Sequence, residues 1–118
     1  MKPHEAMAIR VCPLEEIVPN TGVAALVDGE QVAVFRLDDG SVHAVGNFDP
    51  FSRANVLSRG IVGDLKDELV VASPVYKQHF ELLTGRCVED ATVRIPVYRA
   101  RVEDGFVVVE PRKQEAAA

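Results

Sequence analysis

Short runs of β-branched and other apolar residues recur along the chain between turn signals, and no run keeps a helical period. Three of these runs end at an Asp-Gly pair, at positions 28–29, 39–40 and 104–105. Asp-Gly between apolar runs favours a two-residue hairpin turn of the primed type, because both central residues take positive φ. The pattern therefore predicts an all-β chain of antiparallel hairpins, arranged as a sandwich or barrel.

The pattern changes in the middle of the chain. Residues 46–68 resemble a loop, and two strand segments, LVVAS and YKQHFELL, follow them. After this region, an alternating strand over 97–102 is predicted to bury Tyr98, Ala100 and Val102 and to expose its two arginines. We interpret the middle region as a small β subdomain inserted into a β scaffold. The predicted division of the single domain 1–118 is scaffold strands in 7–45 and 87–110, the inserted subdomain in 46–86, and frayed ends at 1–6 and 111–118.

Composition narrows the classes of partner. The 118 residues are 47% hydrophobic, which suits one globular core. The net charge of −5 provides no basic stripe for nucleic acid or for an anionic membrane surface. The longest apolar runs are too short to cross a bilayer, and the N-terminus lacks the apolar run of a signal peptide, so we predict a cytoplasmic protein.

The residues that commonly carry chemistry are scattered. The histidines His4, His43 and His79 have no spacing typical of a metal site, and we interpret them as structural or surface residues. The cysteines Cys12 and Cys87 also lack ligand spacing, and in a reducing compartment both are predicted to be thiols that pack as small apolar residues. An acidic cluster at 64–68 is interpreted as a solvated turn. Local chemistry thus predicts no catalytic residue and no metal ligand.

Two loops carry a recognisable frame. The first contains NFDPF and the second contains SPVYKQHFELLTG. Together they resemble the cluster-binding loops of Rieske proteins, Asn-x-Cys-Pro-His and Cys-Pro-Leu-His followed by Phe-Asp-Leu and Thr-Gly. In this frame Asp49 and Ser73 stand at the cysteine positions, and Phe51 and Tyr76 stand at the histidine positions. The fold that the resemblance implies is a Rieske-like antiparallel β-sandwich or barrel, whose inserted subdomain would carry the cluster in true Rieske proteins.

The residues at the four changed positions determine whether the two loops could bind an iron–sulfur cluster. A Rieske cluster is a 2Fe-2S unit bound by two thiolates and two imidazoles. Phe51 offers no lone pair, Tyr76 would have to lose its phenol proton to ligate well, and Ser73 would be a still poorer anion. We therefore predict a chain without a cofactor, in which Asp49, Phe51, Ser73 and Tyr76 are vestigial ligand positions. We also expect the rings of Phe51 and Tyr76 to pack together between the loops.

The loops and the opening phrase VCPLEEIVPNTGVAALVDGEQVAVFRL resemble one family in particular, the small subunits of assimilatory NAD(P)H-dependent nitrite reductase. The resemblance implies a large partner subunit that carries FAD, sirohaem and a 4Fe-4S cluster and reduces nitrite to ammonia with six electrons from NAD(P)H. The chain itself would be a non-catalytic accessory subunit of that oxidoreductase.

The matching loop tip faces the redox partner in Rieske proteins, so the resemblance implies a docking surface there. Its predicted residues are Phe48, Pro50, Arg53, Val75, Lys77, Gln78 and His79. Two other functions stay open from the sequence: an independent Rieske-like interaction or regulatory domain, and a Rieske-type ferredoxin that carries electrons. Exposed sheet edges would also allow the chain to self-associate when it lacks a partner.

Overall fold

The structure, a computed structural model, describes residues 8–112. The predicted frayed end 1–6, His4 and residues 113–118 lie outside the described residues. Within 8–112 there are two single-turn 3₁₀ helices, Leu14–Glu16 and Leu57–Arg59, and no helix long and apolar enough to cross a membrane. The strands are β1 Ile9–Pro13, β2 Thr21–Val27, β3 Glu30–Arg36, β4 Val42–Gly46, β5 Phe48–Asp49, β6 Ala54–Asn55, β7 Ile61–Leu65, β8 Glu68–Ala72, β9 His79–Glu81, β10 Val97–Tyr98, β11 Ala100–Glu103 and β12 Phe106–Val109.

The strands form two scaffold sheets and a smaller sheeted region. One scaffold sheet has the order β1-β12-β11 and the other has the order β10-β4-β3-β2. The small region consists of the sheet β7-β8-β9 and the short hairpin β5-β6. Every strand pairing is antiparallel, so the predicted all-β antiparallel fold is confirmed.

Strand β3 lies in the middle of three layers. Val32 and Val34 face a core between the two scaffold sheets, whereas Ala33 and Phe35 face a second core beneath the small sheeted region. All four side chains are fully buried. Successive side chains of a strand point to opposite faces, so a strand covered on both sides carries a continuous apolar run. The central sheet therefore supports the inserted subdomain directly.

The second core joins the subdomain to the scaffold. Its buried members are Ala33, Phe35, Val45, Leu57, Val71, Phe80, Leu82, Cys87 and Ile95. Cys87 and Ile95, which the sequence assigns to the scaffold, thus pack in the core shared with the subdomain. Gly85, with φ +80°, lies against the backbone carbonyl of Ile95, where a Cβ would clash. The exact boundary between the two parts stays a prediction.

Two of the three predicted primed turns are confirmed. At 28–29 and 104–105 both residues have positive φ. The prediction at 39–40 is wrong, because only Gly40 has positive φ and the connection between β3 and β4 spans five residues. There Asp39 accepts the backbone N–H of Ser41 with its side chain at 2.9 Å, which stabilises a wider turn.

The interpretation of residues 46–68 as a loop is also wrong. This segment contains β5, β6 and β7. The hairpin of β7 and β8 turns at Lys66 and Asp67, which have φ values of 51° and 69°. Because this primed turn contains no glycine, it lacks the sequence signal that marks the other hairpins.

The strand predicted over 97–102 changes sheets part of the way along. Val97–Tyr98 pairs with β4, and Ala100–Glu103 pairs with β12. The crossing between sheets interrupts the predicted alternation, so Tyr98 is buried but Val102 is 40% exposed. The last strands thereby connect the two scaffold sheets along one side.

Candidate functional site

The two cysteine-equivalent residues lie side by side in the structure. Asp49 belongs to β5, and Ser73 directly follows β8. The Ser73 hydroxyl donates a hydrogen bond of 2.5 Å to Oδ2 of Asp49. Both side chains are buried, with relative exposures of 1% and 0% for Ser73 and Asp49. A hydrogen bond between two buried polar groups therefore links the two loops.

Further donors surround the Asp49 carboxylate. The backbone N–H of Phe51 donates to Oδ1 at 2.9 Å, and the Ser52 hydroxyl donates to Oδ2 at 3.0 Å. Burial by itself would raise the pKa of Asp49, but the bonds from Ser73, Phe51 and Ser52 outweigh burial and lower it below the ordinary value. Among the described residues no basic side chain forms an ion pair with Asp49. Hydrogen bonds alone thus stabilise this buried charge.

Each loop also closes on itself. The backbone N–H of Arg53 donates to the backbone carbonyl of Asp49 at 2.7 Å. In the second loop the N–H of Ser73 donates to the carbonyl of Gln78 at 2.9 Å, and the N–H of Val75 donates to the Ser73 hydroxyl at 3.2 Å. The Ser73 side chain therefore accepts a bond within its own loop while it donates to the other loop.

The two histidine-equivalent residues behave differently from each other. Phe51 packs on Phe80, with ring centroids 6.1 Å apart and the planes tilted by 44°. Tyr76 is 61% exposed. The expected packing of Phe51 on Tyr76 is therefore wrong. The second core offers Phe51 an apolar surface, whereas the Tyr76 ring lies at the end of an exposed loop.

The residues at these four positions do not fit a 2Fe-2S cluster. Such a cluster takes two thiolates and two imidazoles, but here the inner pair is a carboxylate and a hydroxyl already bonded to each other. Of the outer pair, Phe51 has no ligand atom, and the Tyr76 side chain is 61% exposed. Within residues 8–112 no group of three or more His, Cys, Asp or Glu side chains is placed to hold a metal ion.

The loop tip around this link is mainly exposed. Phe48 and Val75 are 48% and 45% exposed, and Arg53 and Lys77 are exposed too. Both basic residues have left-handed backbones, with φ values of 62° and 68°. The remaining predicted tip residues, Pro50, Gln78 and His79, are half-buried.

His79 has a fixed orientation at the base of the second loop. Its ring Nδ1 lies 2.6 Å from Oε2 of Glu89, and its backbone N–H donates to Oε1 of the same carboxylate at 2.8 Å. Burial would raise the pKa of Glu89, but the bonds from His79 outweigh it and lower that pKa. His79 therefore supports the loop in addition to lying near its surface.

Sequence reasoning missed two polar partners in this region, Ser52 and Glu89. Ser52 had an indirect signal: Asp followed by Pro favours a tight turn whose Asp side chain accepts the N–H two residues on, here that of Phe51, and this turn brings the next residue, Ser52, to the same carboxylate. No sequence signal marked Glu89, because its partner His79 lies ten residues earlier in the chain. The two cysteines behave as predicted, for both are free thiols, and burial raises the pKa of Cys12 and of Cys87.

Comparisons with known proteins identify the family of this fold. A Rieske-like [2Fe-2S] domain family matches residues 8–110. The chain is 49% identical over 98 residues to the nitrite reductase (NADH) small subunit of Salmonella typhimurium, covering 82% of this chain and 91% of that one. It is 46% identical to the solution structure of the nitrite reductase [NAD(P)H] small subunit from Erwinia carotovora, with a TM-score of 0.77 over 94% of this chain and 86% of that one.

A third relative is a much longer protein. Over 99 residues the chain is 39% identical to part of the nitrite reductase [NAD(P)H] large subunit of Klebsiella oxytoca. The match covers 84% of this chain but only 10% of the Klebsiella chain. A domain of this kind therefore occurs inside a large-subunit polypeptide.

The link between Asp49 and Ser73 predicts a measurable contribution to stability. Ser73→Ala leaves a buried carboxylate without one of its donors, so we expect the free energy of unfolding to fall by about 2 kcal/mol. Ser52→Ala is the matched control, because it removes a longer bond to the same oxygen from a half-buried hydroxyl, and it should have a smaller effect. Urea denaturation of both variants measures the difference. Equal losses in the two variants would contradict a special role for Ser73.

The charge on Asp49 predicts a pH dependence. Its folded pKa lies below its unfolded value, so its stabilising contribution is present above about pH 4 and is lost as the pH falls through the folded pKa. Asp49→Asn has no such titration. We therefore expect the stability of the wild type to fall more steeply on acidification than that of the variant. Parallel stability curves below about pH 4 would show that Asp49 is not the group responsible.

Proposed function

The chain belongs to the Rieske-like family of nitrite reductase (NADH) small subunits, and from this we propose that it is an accessory subunit that docks on the large catalytic subunit and holds no cluster itself. The enzyme is an oxidoreductase. In this proposal FAD, sirohaem, a 4Fe-4S cluster and the NAD(P)H site belong to the large subunit, which reduces nitrite to ammonia during nitrate assimilation in the cytoplasm.

The observation that carries the proposal is the bond between Asp49 and Ser73. In a Rieske protein the cluster itself ties the two loops together. Here a hydrogen bond of 2.5 Å from the Ser73 hydroxyl to the Asp49 carboxylate joins the loops, and Phe51 packs on Phe80. The loops thus keep a fixed shape without iron, which supports a role in binding and argues against electron transfer by this chain.

The long Klebsiella relative supports the choice of partner. Its large subunit contains a region similar to this chain. Covalent linkage raises the effective concentration of two domains for each other, so a domain that acts on its neighbour within one polypeptide can act on it in the same way as a separate subunit. This relation favours the reductase subunit over the alternative of an independent regulatory domain.

We propose the loop tip as the docking surface, as the sequence suggests. Its exposed apolar side chains, Phe48 and Val75, lie beside the cations Arg53 and Lys77. An apolar centre with a polar rim is the usual anatomy of a protein interface, and aromatic and arginine side chains often dominate its energy. Pro50, Gln78 and His79 would complete this surface, with His79 oriented by Glu89.

The tip also differs from the rest of the chain in charge. The whole chain carries −5, yet the exposed charges of the two loops are Arg53 and Lys77, because Asp49 is buried. Each of these residues has a left-handed backbone, which is unfavourable by about 1–2 kcal/mol without glycine. Such strain persists where the surrounding structure fixes it, often at binding sites. Because both exposed charges of the tip are positive, we expect an acidic complementary surface on the large subunit.

The absence of a cluster is tested on the purified chain. Protein produced in iron-supplemented cells and purified without oxygen should lack visible iron–sulfur absorption and contain only background iron and sulfide. A cluster-bearing Rieske ferredoxin prepared in parallel is the control. Iron and sulfide in a fixed ratio to the chain would overturn this part of the proposal.

Docking is tested by charge reversal at the tip. In binding assays with the large subunit, the double change Arg53→Glu and Lys77→Glu should weaken the affinity about tenfold, with the loss reduced at high salt. Lys66→Glu is the matched control, because Lys66 is also exposed, basic and left-handed, but lies at the other end of β8. Equal affinity of the tip variant and the control would place docking elsewhere. Failure of the wild type to bind the large subunit would reject the accessory role.

A further inference from the structure

Strand β2 is the least protected sheet edge within residues 8–112. It is the longest edge strand, with seven residues, TGVAALV, and it contains no charged residue and no proline. Proteins commonly protect such edges with lysine, proline or a bulge, because an open edge pairs readily with another strand. A long uncharged edge is therefore a candidate site for pairing with another chain.

The register of the central sheet identifies the free backbone groups of β2. Odd-numbered residues of β3 bond toward β4: the N–H of Asn47 donates to the Gln31 carbonyl at 3.1 Å, and the N–H of Leu37 donates to the Ser41 carbonyl at 2.9 Å. Even-numbered residues of β3 therefore bond toward β2, where their partners are Thr21, Val23, Ala25 and Val27. The remaining residues, Gly22, Ala24 and Leu26, direct their backbone N–H and C=O groups away from β3. At Gly22 the backbone of Ser58 lies close by, since an added Cβ would be 2.9 Å from its carbonyl oxygen, so the open part of the edge is at Ala24 and Leu26.

A cleft lies on this open side, between β2 and β1. It has a volume of about 400 Å³ and is lined largely by apolar residues of the two strands, with Glu16 at its margin. Leu26 borders the cleft and is 64% exposed. The opposite wall of the cleft is β1, an edge strand that is protected against pairing with another strand. It carries Arg10, a bulge between Arg10 and Cys12, and Pro13. An incoming strand would thus pair with β2 and lay side chains against β1.

We propose that an extended apolar segment of the large subunit adds to β2 as a further strand and fills this cleft. The inference rests on the proposed function for the identity of the partner. Strand addition takes its affinity from main-chain hydrogen bonds and its selectivity from side chains in adjacent pockets. The small residues Ala24 and Ala25 allow close approach, and Glu16 favours a basic residue near one end of the segment.

A second copy of this chain fits the edge less well. Each copy carries −5, so pairing through β2 would bring like net charges together. One strand pair alone is also small beside the total of about 1,000 Å² that a stable interface usually buries, which favours a partner that contacts the loop tip as well. The large subunit is the better occupant, because a domain similar to this chain lies in the same polypeptide as the large subunit in Klebsiella.

Two variants test the edge. Ala24→Pro removes an outward N–H without breaking a bond to β3, and proline is tolerated at such edge positions. Leu26→Lys adds the charge that protects other edges. Both should weaken binding of the large subunit at least tenfold in titrations with the purified full-length chains. Leu83→Lys is the matched control, since Leu83 is 65% exposed but lies outside β2 and the cleft. It should bind like the wild type.

The outcomes separate the proposals. Wild-type affinity in both Ala24→Pro and Leu26→Lys, with folding verified by thermal unfolding, would overturn strand addition and leave the accessory role intact. Self-association of the wild type that Ala24→Pro abolishes, with binding of the large subunit unchanged, would assign the edge to a second copy and also overturn it. If the wild type does not bind the large subunit at all, both proposals fall.

Discussion

The buried carboxylate of Asp49 is the constraint on which the two functional loops depend. It has no basic partner among the described residues, so donors must reach it from its own turn and from the neighbouring loop. A buried charge without such donors would be strongly unfavourable. The requirement brings the Ser73 hydroxyl to within 2.5 Å of the carboxylate. If these two positions correspond to cluster ligands, as we predict, one hydrogen-bonded pair joins the loops that iron joins in a Rieske protein.

The central sheet explains why this geometry is rigid. Consecutive side chains of β3 alternate between two cores, so the sheet is covered by a scaffold sheet on one side and by the subdomain on the other. Phe35 and Phe80 are fully buried in the second core, and Phe51 packs against this core. Because protein cores are close-packed, the loops cannot shift without disturbing both layers. The loop tip is therefore supported by close-packed cores.

We propose two surfaces of the described residues for contact with a partner. The tip combines exposed apolar groups with two cations, and the edge of β2 offers free backbone groups beside a cleft. These surfaces recognise different features, because charge at the tip favours acidic groups whereas a strand edge accepts almost any extended apolar segment. A subunit that uses both would gain selectivity from the first and main-chain hydrogen bonds from the second.

The sequence by itself determined the all-β class and the Asp-Gly hairpins at 28–29 and 104–105, and it predicts the four changed ligand positions. These follow from local turn chemistry and from residue type, which need no tertiary contact. The β7 hairpin was missed because its turn, Lys66-Asp67, lacks glycine. Only the tertiary structure decided that Asp49 bonds Ser73 and that Phe51 turns to Phe80 and not to Tyr76. Those choices depend on burial and on distances across the fold, which no local pattern encodes.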